Sequence, residues 1–249
     1  MLRLLTLLFI GFPCLLFSQD IPQLLKEAQQ QESVFHENEA FLKYAEILRR
    51  NPDNLMALWK CSELSSRIGA RQSDKEKMRP YFQAARNYAA AALRLNPNST
   101  DANYAMALAL GRVSLVSGTK ERVMLAKDVK HYAENAIRLD PNNFRAYHIL
   151  GRWNYEVSNL NLAEKSFARI FYGKLPSASL DDAIYDFEKS RLLNPGFILN
   201  YLELARSYHR KDEDKKALAN LHILLGLPNS MYDDSRAKLI ARQLLAEWQ

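Results

Sequence analysis

The stretch from Pro195 to Pro228 reads PGFILNYLELARSYHRKDEDKKALANLHILLGLP. Apolar residues recur every three or four positions on both sides of its charged centre, KDED, at residues 211–214. That spacing places the apolar side chains of each half on one face of a helix. Because a proline ends one helix and comes before the next, the stretch predicts two amphipathic helices joined by a short turn.

Four Asn-Pro or Asp-Pro pairs divide the chain, and each follows a run that ends in Arg and Leu. The prolines are Pro52, Pro97, Pro141 and Pro195, separated by 45, 44 and 54 residues. Helices that stop at a proline and restart at near-regular intervals indicate a helical repeat array. Such arrays present extended binding surfaces, so we expect a binding protein rather than an enzyme.

The residue pattern resembles the tetratricopeptide repeat, which is about 34 residues long and forms one helix pair. From Pro195 the matching residues are Tyr201, Leu204, Ala205, Tyr208, Ala217, Leu221 and Leu224. Read backwards from the four prolines, the second helices supply Ala40, Tyr44, Ile47, Ala85, Ala89, Ala92, Val129, Ala133, Ala136, Ala183, Phe187 and Ser190. The pattern predicts an all-α fold, a tetratricopeptide-like right-handed superhelix of antiparallel helix pairs.

The intervals between prolines exceed one repeat by roughly 10, 10 and 20 residues, which predicts extended insertions between paired helices. We expect the first two to lengthen the helices, with a capping box at Ser73–Glu76 and a helix start at Thr119. The third contains an amphipathic stretch, residues 162–172, before a helix restarts at Ser179. End caps are predicted at residues 21–31 and 235–248, the latter through an apolar stripe of Leu239, Ile240, Leu244, Leu245 and Trp248.

A second resemblance rests on LGRWNY at residues 150–155, LPSAS at 175–179, and Ala183, Phe187 and Asn194-Pro195. These motifs are similar to those of the regulator-of-microtubule-dynamics family, over roughly residues 80–245 and most densely over 140–210. The resemblance implies a divergent tetratricopeptide domain used for protein or lipid contacts. Eukaryotic members associate with microtubules or organelle membranes, and one is a lipid-binding contact-site tether.

Residues 1–18 have the layout of a secretory signal peptide: Arg3, an apolar run from Leu4 to Phe17, then Ser18. We therefore expect an exported protein of the bacterial periplasm or envelope, with residues 19–249 as a single domain and microtubules out of reach. An uncleaved anchor, a lipoprotein modified at Cys14 and a cytosolic protein are the alternatives. The sequence before Cys14 is a poor lipobox.

The composition limits the partners. Lys and Arg number 34 against 28 Asp and Glu, a formal net charge of +6 without a concentrated basic patch. This balance favours acidic proteins or anionic lipid and argues against nucleic acid. Cys61 is the cysteine that remains after removal of residues 1–18, so we expect a buried, inert thiol and no internal disulfide.

No catalytic or metal-binding motif stands out. The five histidines lie far apart, without an HExxH motif, a phosphate-binding loop or a nucleophile elbow. Asp181-Asp182 and residues 212–214 fall where helices should begin, where carboxylates interact favourably with the helix dipole. We expect no enzyme activity, no cofactor and no bound metal.

The concave groove is the predicted binding site, because the first helices of successive pairs should line it. Counting from each proline, the candidate groove residues are Trp59, Tyr104, Arg112, His148, Arg152, Tyr155 and Arg206. Aromatic rings interleaved with arginines suit an acidic or extended peptide, or a lipid headgroup. The alternative is that the longer helices shift the register, so that some of these side chains pack on neighbouring helices. Trp59 occupies the position of the first Lys of the clamp by which chaperone-binding relatives hold a peptide C-terminus, which argues against that mode of binding.

The third insertion is a second candidate contact region, for a membrane or a partner. Its residues are Lys165, Arg169, Phe171 and Lys174. The alternative, a short helix that closes a long turn, is favoured by its low charge and length.

Two functions follow. The first is a non-enzymatic scaffold that binds a protein or peptide; the second is a phospholipid carrier. A carrier needs an apolar cavity of roughly several hundred Å³. The alanines at residues 84–92 and 102–109 indicate tight helix packing rather than a wide chamber, which favours the peptide scaffold.

Overall fold

The computed structural model describes residues 20–160, 165–166, 169 and 177–248. Within them the chain forms eleven α-helices and no strand. The helices are α1 (Ile21–Ser33), α2 (Glu37–Arg50), α3 (Leu55–Ala70), α4 (Lys75–Leu95), α5 (Thr100–Val116), α6 (Thr119–Leu139), α7 (Phe144–Ser158), α8 (Leu180–Leu193), α9 (Ile198–Arg210), α10 (Asp214–Gly226) and α11 (Asp234–Trp248).

Helices pack as antiparallel pairs: α1 with α2, α3 with α4, α5 with α6, α7 with α8 and α9 with α10. Each pair packs on the next, and α11 covers the last pair by contacting α9 and α10. This arrangement confirms the all-α tetratricopeptide-like superhelix. The N-terminal helix, predicted as an end cap, is the first member of a pair.

The same hydrogen bond forms at each of the four Asn-Pro or Asp-Pro pairs. At each of the four turns, the side-chain oxygen of the residue before proline accepts from the backbone N–H of the residue after it, at 2.9–3.2 Å. The four acceptors are Asn51, Asn96, Asp140 and Asn194. This Asx-turn reverses the chain, and the proline, which has no N–H to donate, fills its centre.

Small residues on the second helices let each pair approach closely. Ala85, Ala89 and Ala92 of α4 are fully buried, as are Ala133 and Ala136 of α6. The same holds across α7 and α8, where a Cβ on Gly151 would lie 2.7 Å from Cδ1 of Phe187. Because that distance is below van der Waals contact, only glycine fits at this crossing.

The first two insertions lengthen the second helices, as predicted, since α4 and α6 have 21 residues each. Helix α6 begins at Thr119, after Gly118. The capping box at Ser73–Glu76 was wrong by one residue. Asp74 is the N-cap of α4 and accepts from the backbone N–H of Lys77 at 2.9 Å.

Part of the third insertion is described. Lys165 and Arg169 have helical backbone and exposed side chains, whereas Phe171 and Lys174 lie outside the described residues, as do residues 1–18. Among the helices that the structure describes, none combines the length and apolar character needed to cross a bilayer. The role of the insertion stays a prediction.

The C-terminal helix buries a narrower stripe than predicted. Ala237, Ala241 and Leu245 are buried, with Ile240 and Trp248 partly so, against α9 and α10. Leu239, which was placed in the stripe, is 55% exposed. It lies two residues after Ala237, a spacing that rotates it away from the packed face.

Candidate ligand-binding site

A cavity of about 860 Å³ occupies the concave side of the superhelix. Its walls come from the first helices α3, α5 and α7 and from the first half of α6. The segment between α10 and α11 contributes Ser230, Met231 and Asp233, and the first pair contributes Glu32 and Glu37. The cavity therefore touches both ends of the array.

One end of the cavity is built around a buried carboxylate, Glu63 of α3, which is 3% exposed. Lys60 Nζ lies 3.2 Å from it and Tyr104 donates its hydroxyl hydrogen bond to it at 2.9 Å. Burial alone would raise the pKa of Glu63, but the charges of Lys60, Arg145 and Arg67 lower it to about 2. Glu63 is thus ionised and holds three cations around it; we call this set the Glu63 network.

At the other end, the lining residue Arg152 is held from behind by Glu203 of α9, which is 6% exposed and does not itself line the cavity. Its Oε1 accepts from Arg152 at 2.9 Å and from Arg206 at 3.1 Å. Arg152 also reaches Glu156, 3.2 Å away on the same helix. We call this set the Glu203 network; here too the arginines are neutralised by the chain's own carboxylates.

His148 lies between the Glu203 network and the core. Its Nδ1 is 3.0 Å from Asn200 Oδ1, and its ring packs against Phe187 and Phe197. Burial lowers the pKa of His148 to about 4, although the hydrogen bond with Asn200 opposes this. The imidazole is therefore neutral at physiological pH and serves to order α7 against α9.

Arg112 of α5 differs from the other arginines of the wall. Its Nε is enclosed and has no hydrogen-bond partner, and no ion pair to its guanidinium occurs within the described part of the chain. Burial lowers the pKa of Arg112 to about 10, and the nearby charge of Arg152 adds to this. Arg112 is half-buried, and a cation that stays charged with an enclosed, unpaired Nε is a favourable place for an anion.

Beside Arg112, the wall is apolar. The side chains that form it are Leu108, Leu115, Val123, Val129, Ile149 and Val157. The expectation that the alanines exclude a wide chamber is wrong: Ala102, Ala105 and Ala109 do pack tightly, but within and between the paired helices, while the cavity lies on the concave side. The site thus combines an apolar half with a half rich in paired charge.

Four of the seven predicted groove residues line the cavity: Tyr104, Arg112, His148 and Arg152. The other three lie elsewhere. Trp59 is 8% exposed and belongs to the core, and Lys60 Nζ lies 4.6 Å from the centroid of its ring. The guanidinium of Arg210 lies over Tyr155, 5.1 Å from the centroid of the tyrosine ring. Arg206 forms an ion pair with Glu203 and does not line the cavity. These three side chains pack on neighbouring residues instead of lining the cavity.

Comparison with protein families gives a match over most of the chain. Residues 23–249 match the family model described as regulator of microtubule dynamics protein 1-3. The chain belongs to this family. Regulator of microtubule dynamics protein 1 of Caenorhabditis elegans is 28% identical over 221 residues, which are 86% of this chain and 96% of that protein.

Larger relatives share the same region. Regulator of microtubule dynamics protein 3 of Xenopus laevis is 27% identical over 78% of this chain, and human protein 2 is 26% identical over 75%. The matched regions cover 42% and 46% of those proteins, so the chain corresponds to less than half of each.

A solved structure supports the fold. A thermophilic tetratricopeptide protein of Thermus thermophilus superposes with a TM-score of 0.66 at 14% identity, covering 92% of this chain and 98% of that one. At this identity the likeness shows the fold alone.

Sequence reasoning missed two contributors to this family member's cavity. Arg145 follows Pro141 by four residues, in the first turn of α7, and its guanidinium lies 5.5 Å from the Tyr104 ring and 5.8 Å from the Trp59 ring. Asp233 comes from the segment before α11. No repeat position predicts either, because first-turn contacts and return segments depend on the curvature of the array.

The described residues offer little for catalysis. They contain no group of three or more His, Cys, Asp or Glu side chains able to hold a metal ion. Cys61 is fully buried, and burial raises the pKa of its thiol to about 12, so the thiol is inert, as expected. The cavity is equipped for binding.

Proposed function

We propose that this protein is a non-enzymatic binding scaffold whose concave cavity holds an anionic, partly apolar segment of another protein. The observation that carries the proposal is Arg112, a half-buried guanidinium whose Nε is enclosed and unpaired, beside an apolar wall. A carboxylate from a peptide side chain or C-terminus would pair with it, and an apolar side chain of the same segment would fill the space beside Leu108 and Val123.

The charge of the wall supports an anionic guest. The lining residues include seven Lys or Arg against five Asp or Glu. Since the Glu63 and Glu203 networks neutralise most of these cations internally, we expect recognition of one or two acidic groups rather than of a long acidic tract.

The test blocks the cavity without touching its charges. A Cβ on Gly111 meets no atom within 4 Å, and Gly111 lines the cavity, so Gly111→Phe should fill it without disturbing the fold. Gly118 is equally open but is not a lining residue, so Gly118→Phe is the matched control. Partners captured from an extract of the native host are quantified for both variants.

The proposal requires loss of the same partner in Gly111→Phe and in Arg112→Met, with retention in Gly118→Phe and in Arg79→Met, since Arg79 is exposed and does not line the cavity. We expect at least about a tenfold loss for Arg112→Met, the usual effect of removing a charge-assisted hydrogen bond. Capture that is equal in all four variants would exclude the cavity as the binding site.

A second candidate, a phospholipid in the same cavity, is favoured by one observation, the volume of about 860 Å³. This meets the size that a lipid or drug-sized ligand needs, roughly 300–1,000 Å³. Arg112 would then pair with the phosphate. Native mass spectrometry decides between the guests: stoichiometric phospholipid on the purified protein, absent from Gly111→Phe, would replace the peptide proposal.

We also propose that the scaffold acts in the bacterial periplasm or envelope, which rests on the signal-peptide layout of residues 1–18. N-terminal sequencing of the protein from its host should find Gln19 first. An intact Met1 in the soluble cytosolic fraction would contradict the location and leave the cavity proposal untouched.

A further inference from the structure

We propose that residues 227–233, the segment between α10 and α11, form a strap that gates the cavity, with Arg71 as its latch. The inference rests on the proposed function, since a gate matters where the cavity is a ligand site. It concerns how a guest enters and leaves, and its test needs no guest.

The strap joins the two ends of the array. Arg71, the residue that ends α3, donates from Nη1 to Asp233 Oδ2 at 3.1 Å, across 162 residues of sequence. Its guanidinium also lies 4.3 Å from the ring centroid of Tyr232. The second arm of the fork pairs with Glu37, at the start of α2. One side chain therefore fastens the C-terminal segment to the first two helix pairs.

Internal hydrogen bonds hold the strap in a compact shape. The buried carboxylate of Asp234 accepts from the backbone N–H groups of Ser230 and Met231, each at 2.7 Å. Asn229 donates to Ser235 Oγ at 2.7 Å, and Lys238 donates to the carbonyl oxygen of Leu227. The strap is thus held in one compact shape and anchored to the start of α11, so that it can move as a body about this anchor rather than unravel.

The strap is also part of the cavity wall. Ser230, Met231 and Asp233 face the cavity, and the charge of Asp233 reaches both Arg67 and Arg112. An anion that pairs with Arg112 lies near this carboxylate and is repelled by it. Asp233 therefore takes part in both events, since it pairs with Arg71 in the closed latch and its charge reaches Arg112, and this shared carboxylate couples guest binding to latch closure.

The latch is built to open. Tyr232 is 55% exposed, and the side chains of Arg71 and Asp233 retain 19% and 24% exposure, so solvent competes for the contacts of Arg71 with Tyr232 and Asp233. Helix α11 packs on α9 and α10, so release at Arg71 costs none of that packing. A part-exposed ion pair with one ring contact is strong enough to favour closure and weak enough to break transiently.

A thiol placed inside the cavity reports the opening. Gly111→Cys puts a side chain into open cavity space, while Cys61 stays buried and Cys14→Ser removes the other thiol. The rate of labelling with N-(1-pyrenyl)maleimide, a bulky neutral reagent, is compared with that of the small N-ethylmaleimide. In this background we expect Arg71→Ala to speed pyrene labelling by about fivefold or more, the combined effect of the lost ion pair and ring contact.

Two further variants make the result specific. Asp233→Asn removes the ion pair but leaves Arg71 on Glu37, so a smaller acceleration is expected even if Arg71→Ala perturbs the fold. Arg79→Ala deletes an exposed arginine paired with Glu76 and should leave the rate unchanged. Pyrene labelling at the parent rate in both latch variants would overturn the gate, whatever binds in the cavity.

Discussion

Charged side chains are paired at the two ends of the concave wall and unpaired in its middle. At the ends, Glu63 and Glu203 are buried carboxylates, each surrounded by cations from more than one helix pair. In the middle, Arg112 of α5 is enclosed beside Leu108 and has no such partner. Burying a charge costs several kcal/mol unless it is paired, so the paired ends join neighbouring helix pairs, whereas the unpaired middle would gain from an anionic guest.

Glu63→Gln should have the largest effect on this comparison, because it leaves Lys60, Arg67 and Arg145 without their common anion. We expect a loss of about 3–5 kcal/mol in the free energy of unfolding, the usual result of breaking a buried ion network. Urea unfolding followed by circular dichroism measures it.

The matched change at the other end, Glu203→Gln, should cost less, about 1–2 kcal/mol, since its arginines are more than one third exposed, at 38% for Arg152 and 35% for Arg206. Equal losses for the two variants would show that the contribution of each network to the free energy of unfolding does not depend on its burial.

Two glycines, one at a packed helix crossing and one facing the cavity, should respond in opposite ways to an added methyl group. Gly151→Ala should destabilise the protein by about 1–3 kcal/mol, because its Cβ would lie 2.7 Å from the Phe187 ring, an overpacked contact. Gly111→Ala, facing the cavity with no atom within 4 Å, should stabilise α5 by up to about 1 kcal/mol through helix propensity. Thermal unfolding of both variants tests the sign, and a destabilised Gly111→Ala would mean that the cavity is not open at this point.

Two buried groups at the C-terminal end should give opposite dependences on pH. The folded-state pKa of His148 is lowered to about 4, so its stabilising contribution is lost as the pH falls from about 6.5 to 4. Burial raises the pKa of Asp186 to about 7, against the hydrogen bond from Asn154, so its contribution is full below about pH 4 and lost as the pH rises to 7.

Asp186→Asn should therefore steepen the loss of stability in acid, and His148→Gln should reverse it, each by about 2 kcal/mol across the window. Unfolding free energies at pH 4.5, 6 and 8 distinguish them. Identical pH profiles for the two variants and the parent would contradict both pKa shifts.

The smallest effect is expected at Arg112. Arg112→Met removes a half-buried cation that has no ion-pair partner among the described residues, so stability should be unchanged or rise by about 1 kcal/mol. The same change at Arg67, which pairs with buried Glu37 and faces Glu63, should destabilise the protein. If Arg112→Met proves as costly as Arg67→Met, Arg112 has a structural partner and the anion site is wrong.

Most of the fold could be predicted from local chemistry. Asn51, Asn96, Asp140 and Asn194 each mark a turn through their own side-chain hydrogen bond, and Ala85 or Phe187 report helix crossings through size alone. Such signals depend on residues a few positions apart and survive in a sequence pattern.

The site was less predictable because it depends on how far the array bends. Trp59 and Tyr104 occupy the same position after their prolines and both are buried in the core, yet Tyr104 also lines the cavity and Trp59 does not. The contact between Arg71 and Asp233 has no local signal, since it forms where the superhelix returns on itself.

The proline that follows each turn residue also changes how readily the chain is chemically degraded at that turn. Asparagine deamidates when the next backbone nitrogen attacks its side chain to form a succinimide, and proline has no N–H with which to do so. Asn51, Asn96 and Asn194 are thereby protected, and the backbone at these turns does not lengthen into isoaspartate. At Asp140-Pro141 the proline instead makes the chain more easily cleaved, since Asp-Pro bonds hydrolyse in acid. Hot dilute acid should divide the array between α6 and α7, releasing fragments that end at Asp140 and begin at Pro141.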